Sequence, residues 1–315
     1  MATTEQKNDW EKQIIDDEMI TLEIPWKTLE KPFQSVLEKA SRSLKVDGFR
    51  KGKVPAHIAK ENINEEYLVK QTLQQVAGEA YNKKLEASKL KPVSDPEFII
   101  MEADEGKAWK IEAHIAVRPK IELKEYKKLL TKAKAEAKKE LAEENKKAIA
   151  ESKKVKKDEK SVVSEAKELT EDQLNNMATD RALGKLHAES APAVNRLIVT
   201  RQASRELEQL LNQLKQFNLE LDDYLKNSGQ TKEGFSQQLM SSALRNLQME
   251  FILDALIEAE KIEVTDKDIE AKLAEFAPDV KDKKKQKELL DDTYTKNYLE
   301  AMSRRQKLAE WLTSL

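Results

Sequence analysis

The sequence predicts a mostly helical protein: an α+β domain first, then a helical spacer, then an all-α remainder. Three observations carry this. Seven glycines and eight prolines in 315 residues are too few for the many tight turns of an all-β chain. Two alternating apolar runs, Ile20, Leu22, Ile24 and Trp109, Ile111, Ala113, Ile115, Val117, bracket a region whose other apolar residues fall mainly at helical spacing. From Thr170 onward the apolar residues recur at helical spacing only.

The first alternating run reads as a half-buried strand that stops at Pro25. Phe33, Val36, Leu37, Ala40 and Leu44 then make one stripe of a helix. Past Pro55 the chain turns helical again, and Asn64 suits the N-cap of a long helix bearing Val69, Leu73, Val76, Ala80 and Tyr81. Phe98 to Met101 and the run that ends before Pro119 supply two more strands, so helices cover one face of a small sheet. Residues 126 to 169 are Lys, Ala and Glu almost throughout. Their apolar positions are too sparse for a core, which predicts a solvated or partly disordered helical spacer.

Beyond the spacer, Thr170 with Gln173 fits a capping box. Pro192 is placed to open a helix carrying Leu207, Leu210, Leu211, Leu214 and Phe217. Leu221, Tyr224 and Leu225 make a short helix closed near Gly229, and Thr231 can cap the next. That next helix is apolar over more than one face from Met249 to Ala259, which marks it as central. Thr265 with Asp268 forms a second capping pair, residues 281 to 287 read as a lysine-rich turn, and a final helix carries Leu308, Trp311, Leu312 and Leu315. The expected boundaries are 1–120, 121–169 and 170–315.

Between the first two helices lies Gly48-Phe49-Arg50-Lys51-Gly52-Lys53-Val54-Pro55. Glycines so spaced permit positive φ, and Pro55 fixes φ on the way out. A protruding tip with three cations and one aromatic ring can grip a polyanion, because Arg offers a planar fork and Lys a point charge. A lone basic tripeptide is more often an ordinary surface loop, but the full run is more particular. It resembles the ribosome-docking signature of the bacterial trigger factor family of chaperones. The resemblance continues through Ile-Glu-Ala-His-Ile-Ala-Val-Arg-Pro-Lys-Ile-Glu-Leu at 111–123. In the helical part it is carried by Leu-Asp-Asp-Tyr-Leu-Lys-Asn-Ser-Gly-Gln-Thr at 221–231 and Ile-Glu-Val-Thr-Asp-Lys-Asp-Ile-Glu-Ala at 262–271.

The resemblance implies an N-terminal ribosome-binding domain and a C-terminal, substrate-cradling chaperone domain. Phe49, Arg50 and Lys51 would make the contact. Gly48, Gly52 and Pro55 would shape the loop, with Lys53, Arg42 and Lys45 supporting it on ribosomal RNA phosphate. The implied function is an ATP-independent chaperone that docks near the nascent-chain exit and shields emerging polypeptides. Met240, Leu244, Leu247 and Met249 are candidates for the client-facing surface, although a Leu/Met stripe is more often core. Full-length members carry a peptidyl-prolyl isomerase domain of the FK506-binding type between the two ends. Residues 126–169 are too short for it and lack its glycines and aromatics, so isomerase activity is not expected. The alternative is a ribosome-docked scaffold that binds one folded partner.

Other chemistry is hard to place. Lys and Arg (56) nearly balance Asp and Glu (58), so any basic function is local. The absence of cysteine removes thiolate nucleophiles and sulfur-based zinc sites. His57, His114 and His187 have no second ligand at metal spacing, and no phosphate-cradling glycine loop or nucleophile elbow occurs. Neither a cofactor nor a metal is expected. The first residues show no secretory signal, and no apolar run nears the ~20 residues of a membrane span. The expected location is cytoplasmic, the expected partners are the ribosome and unfolded chains, and homodimerisation off the ribosome is left open.

Overall fold

The computed structural model describes residues 8–47, 49–50, 54–155, 167–280 and 282–315. In chain order a 3-10 turn at Glu11–Gln13 is followed by β1 (Ile14–Ile15), β2 (Glu18–Ile24), α1 (Trp26–Ser43), α2 (Ala56–Asn62), α3 (Glu65–Ala87), β3 (Glu97–Glu102) and β4 (Trp109–Ile115). Then come α4 (Tyr126–Val155), α5 (Glu171–Ser190), β5 (Val194–Asn195), α6 (Arg196–Gln216), α7 (Leu221–Asn227), α8 (Lys232–Ala259), α9 (Asp266–Phe276), α10 (Lys283–Asp291) and α11 (Thr293–Ser314). The chain divides into two compact units, each made of two separate stretches: Met1–Pro119 with Ala193–Leu244, and Lys120–Pro192 with Arg245–Leu315. This differs from the expected three consecutive blocks, for reasons that lie in particular contacts.

In the first unit β2, β4 and β3 form an antiparallel sheet in that spatial order. Leu22 faces Ile111 and Ile24 faces Trp109 across the ladder, so alternation puts these side chains on one face. Leu29, Phe33, Val36 and Leu37 of α1 and Leu68, Val69, Leu73 and Val76 of α3 cover that face. Trp109 is wholly buried at its centre, edge-on to Phe33 at 6.3 Å. Its indole N–H donates to the Asp104 carbonyl at 3.1 Å, which satisfies the one polar atom that such burial would orphan. Asn64 caps α3, its side chain accepting from the Glu66 N–H at 2.8 Å.

The second stretch enters this unit through β5, which pairs in parallel with β1, Ile14 against Val194 and Ile15 against Asn195. Asn195 is buried. Its Nδ2 donates to the Asp16 carbonyl at 2.8 Å, and its Oδ1 accepts from the Val117 N–H at 2.9 Å. Asp17 accepts from the Leu197 N–H at 2.9 Å. Pro192 therefore does not open a helix. The chain first extends to complete this pairing, and α6 begins at Arg196.

In the second unit α4, the described helix of the expected spacer, is a core element. Leu130 and Ala133 of α4 pack with Ala182 and Leu186 of α5, Ile252 and Leu256 of α8, and Leu308 and Leu312 of α11. One to two turns on, Ala137 and Leu141 meet Ala178. Alanines at the seam let the two helices approach closely, while Arg181–Glu144 (2.7 Å) and Lys185–Glu136 (2.9 Å) bridge its rim. Thr170 and Gln173 form the expected capping box on α5. Ile269 and Leu273 of α9 pack on Leu299 of α11. At the start of α9 the Asp268 carboxylate accepts from the Thr265 N–H and hydroxyl (each 2.7 Å) and from Lys307 (2.6 Å). Those donors, Lys307 foremost, hold its pKa down to about 2. The lysine-rich turn expected at 281–287 is instead, from Lys283 on, the start of α10, with Asp282 accepting from the Lys284 N–H at 2.8 Å.

Candidate docking loop and exposed apolar surfaces

The loop is held by the two helices that flank it. At the end of α1 the hydroxyls of Ser41 and Ser43 donate to the Glu38 and Ala40 carbonyls, and the Leu44 N–H returns to the Ser41 carbonyl at 3.3 Å. A turn follows in which the Phe49 N–H donates to the Val46 carbonyl at 3.1 Å. On the far side Val54 and Ala59 are buried and anchor the return, and extended Pro55 leads straight into α2.

Phe49 is 39% exposed and Arg50 is also exposed, so these two residues of the expected contact are available to an outside surface. Arg42 and Lys45 are exposed on the approach. None of these three cations makes an ion pair among the described residues, which leaves their charge free for an external anion. Gly48, Lys51, Gly52 and Lys53 lie outside the described residues. Pro55 is half-buried at the start of α2.

The four candidates for a client surface all lie on α8, but they do not share one environment. Leu244 is 2% and Leu247 8% exposed, so these two are core, as a leucine stripe at helical spacing generally is. Met240 and Met249 are half-buried. The exposed apolar side chains lie elsewhere. In the first unit Phe217, 73% exposed, and Leu219 stand on the turn between α6 and α7. In the second, Phe276 at the end of α9 stacks edge-on with Tyr298 of α11 at 5.7 Å. Both are exposed, as are Tyr294 and Met302 on the same helix. Periodicity reads Phe217 as the last member of a buried stripe, and it gives no signal for side chains such as Tyr298 and Met302 that lie off the buried face of α11.

The histidines are separated. His57 is exposed. His114 Nε2 lies 3.6 Å from the Glu112 carboxylate. His187 Nε2 meets Gln248 Oε1 at 3.0 Å, where burial pulls its pKa below the ordinary histidine value. Among the described residues no group of three His, Asp or Glu side chains is placed to hold a metal ion, and no helix is long and apolar enough to cross a membrane.

A small α+β sheet that presents an exposed aromatic-cationic loop, joined to helical segments with solvent-facing aromatic residues, defines a modular, chiefly helical class of protein. Residues 6–149 match the family model described as bacterial trigger factor protein, and residues 154–314 match the model of its C-terminus; the chain belongs to the trigger factor family. Only residues 150–153 separate the two matches, so no further domain is inserted between them. Trigger factors from Lactiplantibacillus plantarum, Staphylococcus carnosus and Enterococcus faecalis are 32%, 31% and 33% identical over 120 residues. Each alignment takes in 38% of this chain and only 27–28% of the relative's length. A solved structure from work on promiscuous substrate recognition by the trigger factor chaperone aligns over 100% of this chain and 99% of that one. Its identity is 13% and its TM-score 0.49.

Proposed function

We propose that this chain is an ATP-independent, ribosome-associated chaperone of the cytoplasm that lacks an isomerase domain. The loop between α1 and α2 docks near the nascent-chain exit, and the exposed apolar side chains of the helical segments shield emerging polypeptides. The observation that carries the reading is the pairing of a solvent-exposed Phe49 with an exposed, unpaired Arg50 in a loop anchored on both sides. Arg50, with Lys51, Lys53, Arg42 and Lys45, can engage phosphate while Phe49 fills an apolar recess. Three to five phosphate contacts would weaken binding by about one to three orders of magnitude over a fourfold rise in salt. Phe217 and Leu219 in one unit, and Phe276, Tyr298 and Met302 in the other, are the client-holding residues. Exposed aromatic and methionine side chains adapt to many sequences.

The test is co-sedimentation with ribosomes of the triple variant Phe49→Ala, Arg50→Ala, Lys51→Ala, with circular dichroism to establish that it is folded. Docking is lost in the variant and steeply salt-dependent in the parent. Undiminished co-sedimentation at low salt would refute the assignment.

A further inference from the structure

β2 lies at one margin of the three-stranded sheet, with β4 on its inner side only. In antiparallel pairing, alternate residues of such a strand direct N–H and C=O away from the sheet. Along 22–24 this open margin borders a groove of about 500 Å³; Pro25, next in the chain, has no N–H to offer, and its carbonyl already accepts from the Thr28 N–H at 2.9 Å. The groove's other wall is α3, which contributes Val76 and Ala80, and Pro32 of α1 closes one side. The rim carries charge of both signs. Glu79 and Lys83 neutralise each other at 2.6 Å, whereas Glu23 and Lys84, also on the rim, have no ionic partner among the described residues.

What can fill such a groove follows from its two walls. A compact apolar ligand would cover Val76 and Ala80 but leave the outward main-chain groups of β2 without partners. A helix would also fail, because its own main-chain groups are already used. An extended peptide meets both demands, since one edge of its backbone pairs with β2 while alternate side chains point toward the helix. The volume lies within the range of sites that enclose a ligand of about drug size.

We infer that the groove between β2 and α3 binds an extended segment of another polypeptide as an added strand. The segment is about four residues long, three of them opposite 22–24 and one beyond. It places a small aliphatic side chain against Val76 and Ala80, a basic residue opposite Glu23 and an acidic one opposite Lys84. This site is distinct from the docking loop and from the exposed aromatic residues of the helical segments, and it does not depend on either being correctly assigned.

The probe is the four-residue peptide acetyl-Lys-Val-Thr-Asp-amide, whose Val and Asp share the side facing α3, titrated into the full chain and followed by methyl NMR. Saturable shifts are expected at the methyls of Leu22, Ile24 and Val76. The same peptide N-methylated at alternate amides keeps its side chains but cannot pair, so it binds about tenfold or more weakly. Lys84→Glu, on an exposed position that leaves the fold intact, weakens binding about threefold, and exchanging the peptide's Asp for Lys restores it. Ala80→Trp fills the groove and removes binding, with circular dichroism as its folding control. The inference is overturned if no saturable shift appears, if the N-methylated peptide binds equally well, or if Lys84→Glu leaves affinity unchanged. It is also overturned if the same methyls shift with protein concentration alone, because the occupant would then be a second copy of this chain.

Discussion

Lys134 sits on α4 with 7% of its surface exposed, and its ammonium donates to the Leu312 carbonyl at 2.9 Å and the Thr313 carbonyl at 2.6 Å. These are among the last carbonyls of α11, which have no partner within the helix. A cation there also meets the negative end of the helix dipole. Replacing Lys134 with Met keeps the aliphatic stem and removes only the ammonium. Each charge-assisted hydrogen bond contributes about 1.5–3 kcal/mol. Two effects reduce the total. Burial works against the charged form and holds the lysine pKa below its ordinary value, and the Thr313 carbonyl keeps a second donor, Asn175 Nδ2, at 3.1 Å. The expected net loss is about 2 kcal/mol, which lowers the melting temperature of this unit by about 4–8 °C. Differential scanning calorimetry of Lys134→Met, Asn175→Ala and the double variant measures it. The two losses should be non-additive because both side chains serve Thr313. A Lys134→Met protein melting within about 1 °C of the parent would refute the capping role.

Further outcomes follow from the same unit. Ala137→Glu puts a carboxylate into the α4–α5 seam and should cost about 3 kcal/mol or more. A solvated spacer would tolerate it within about 0.5 kcal/mol, so calorimetry separates the two. The Tyr126 hydroxyl donates to Glu260, and burial first, then that carboxylate, push its pKa up to about 12. Alkaline absorbance titration should therefore show a late tyrosine that is missing from Tyr126→Phe, a variant less stable by about 1.5 kcal/mol. His187 binds its proton less readily in the folded chain than when unfolded, mainly through burial. Its stabilising share is complete above about pH 6.5 and fades as pH falls through the lowered value. NMR titration of the imidazole should find it neutral at pH 6.5, and a midpoint at or above that value would contradict the burial argument.

Much of the first unit, and the start of α5 in the second, was legible because the signals are local. The alternation at Ile20–Ile24 and Trp109–Ile115, the Asn64 cap and the Thr170/Gln173 box are each stated within a few residues, and each is found. The role of α4 was not legible, because its buried face consists of Ala133, Lys134 and Ala137 with one leucine on either side. Alanine adds little to an apolar stripe, yet it is what a close helix–helix seam requires. The β1–β5 pairing was hidden for another reason. Two-residue strands carry no period, and the contact that fixes them is one asparagine reaching two segments far from it in sequence. In the loop between α1 and α2, Phe49 and Arg50 are exposed, which a contact with an outside surface requires. For the apolar surface, Leu244 and Leu247 were candidates through the resemblance, while their helical spacing already favoured the core where they lie, because a stripe marks what packs inward and not what stays uncovered.

The bridge made by Asn195 sets an order of events during synthesis. Its amide is the partner of the Asp16 carbonyl and the Val117 N–H, so a half-made chain that has emerged only as far as the sheet still waits for residues 193–201. Folding of this unit cannot be completed from its N-terminal stretch alone. A protein proposed to guard unfinished polypeptides thus passes, at every round of its own translation, through a stage in which it is one.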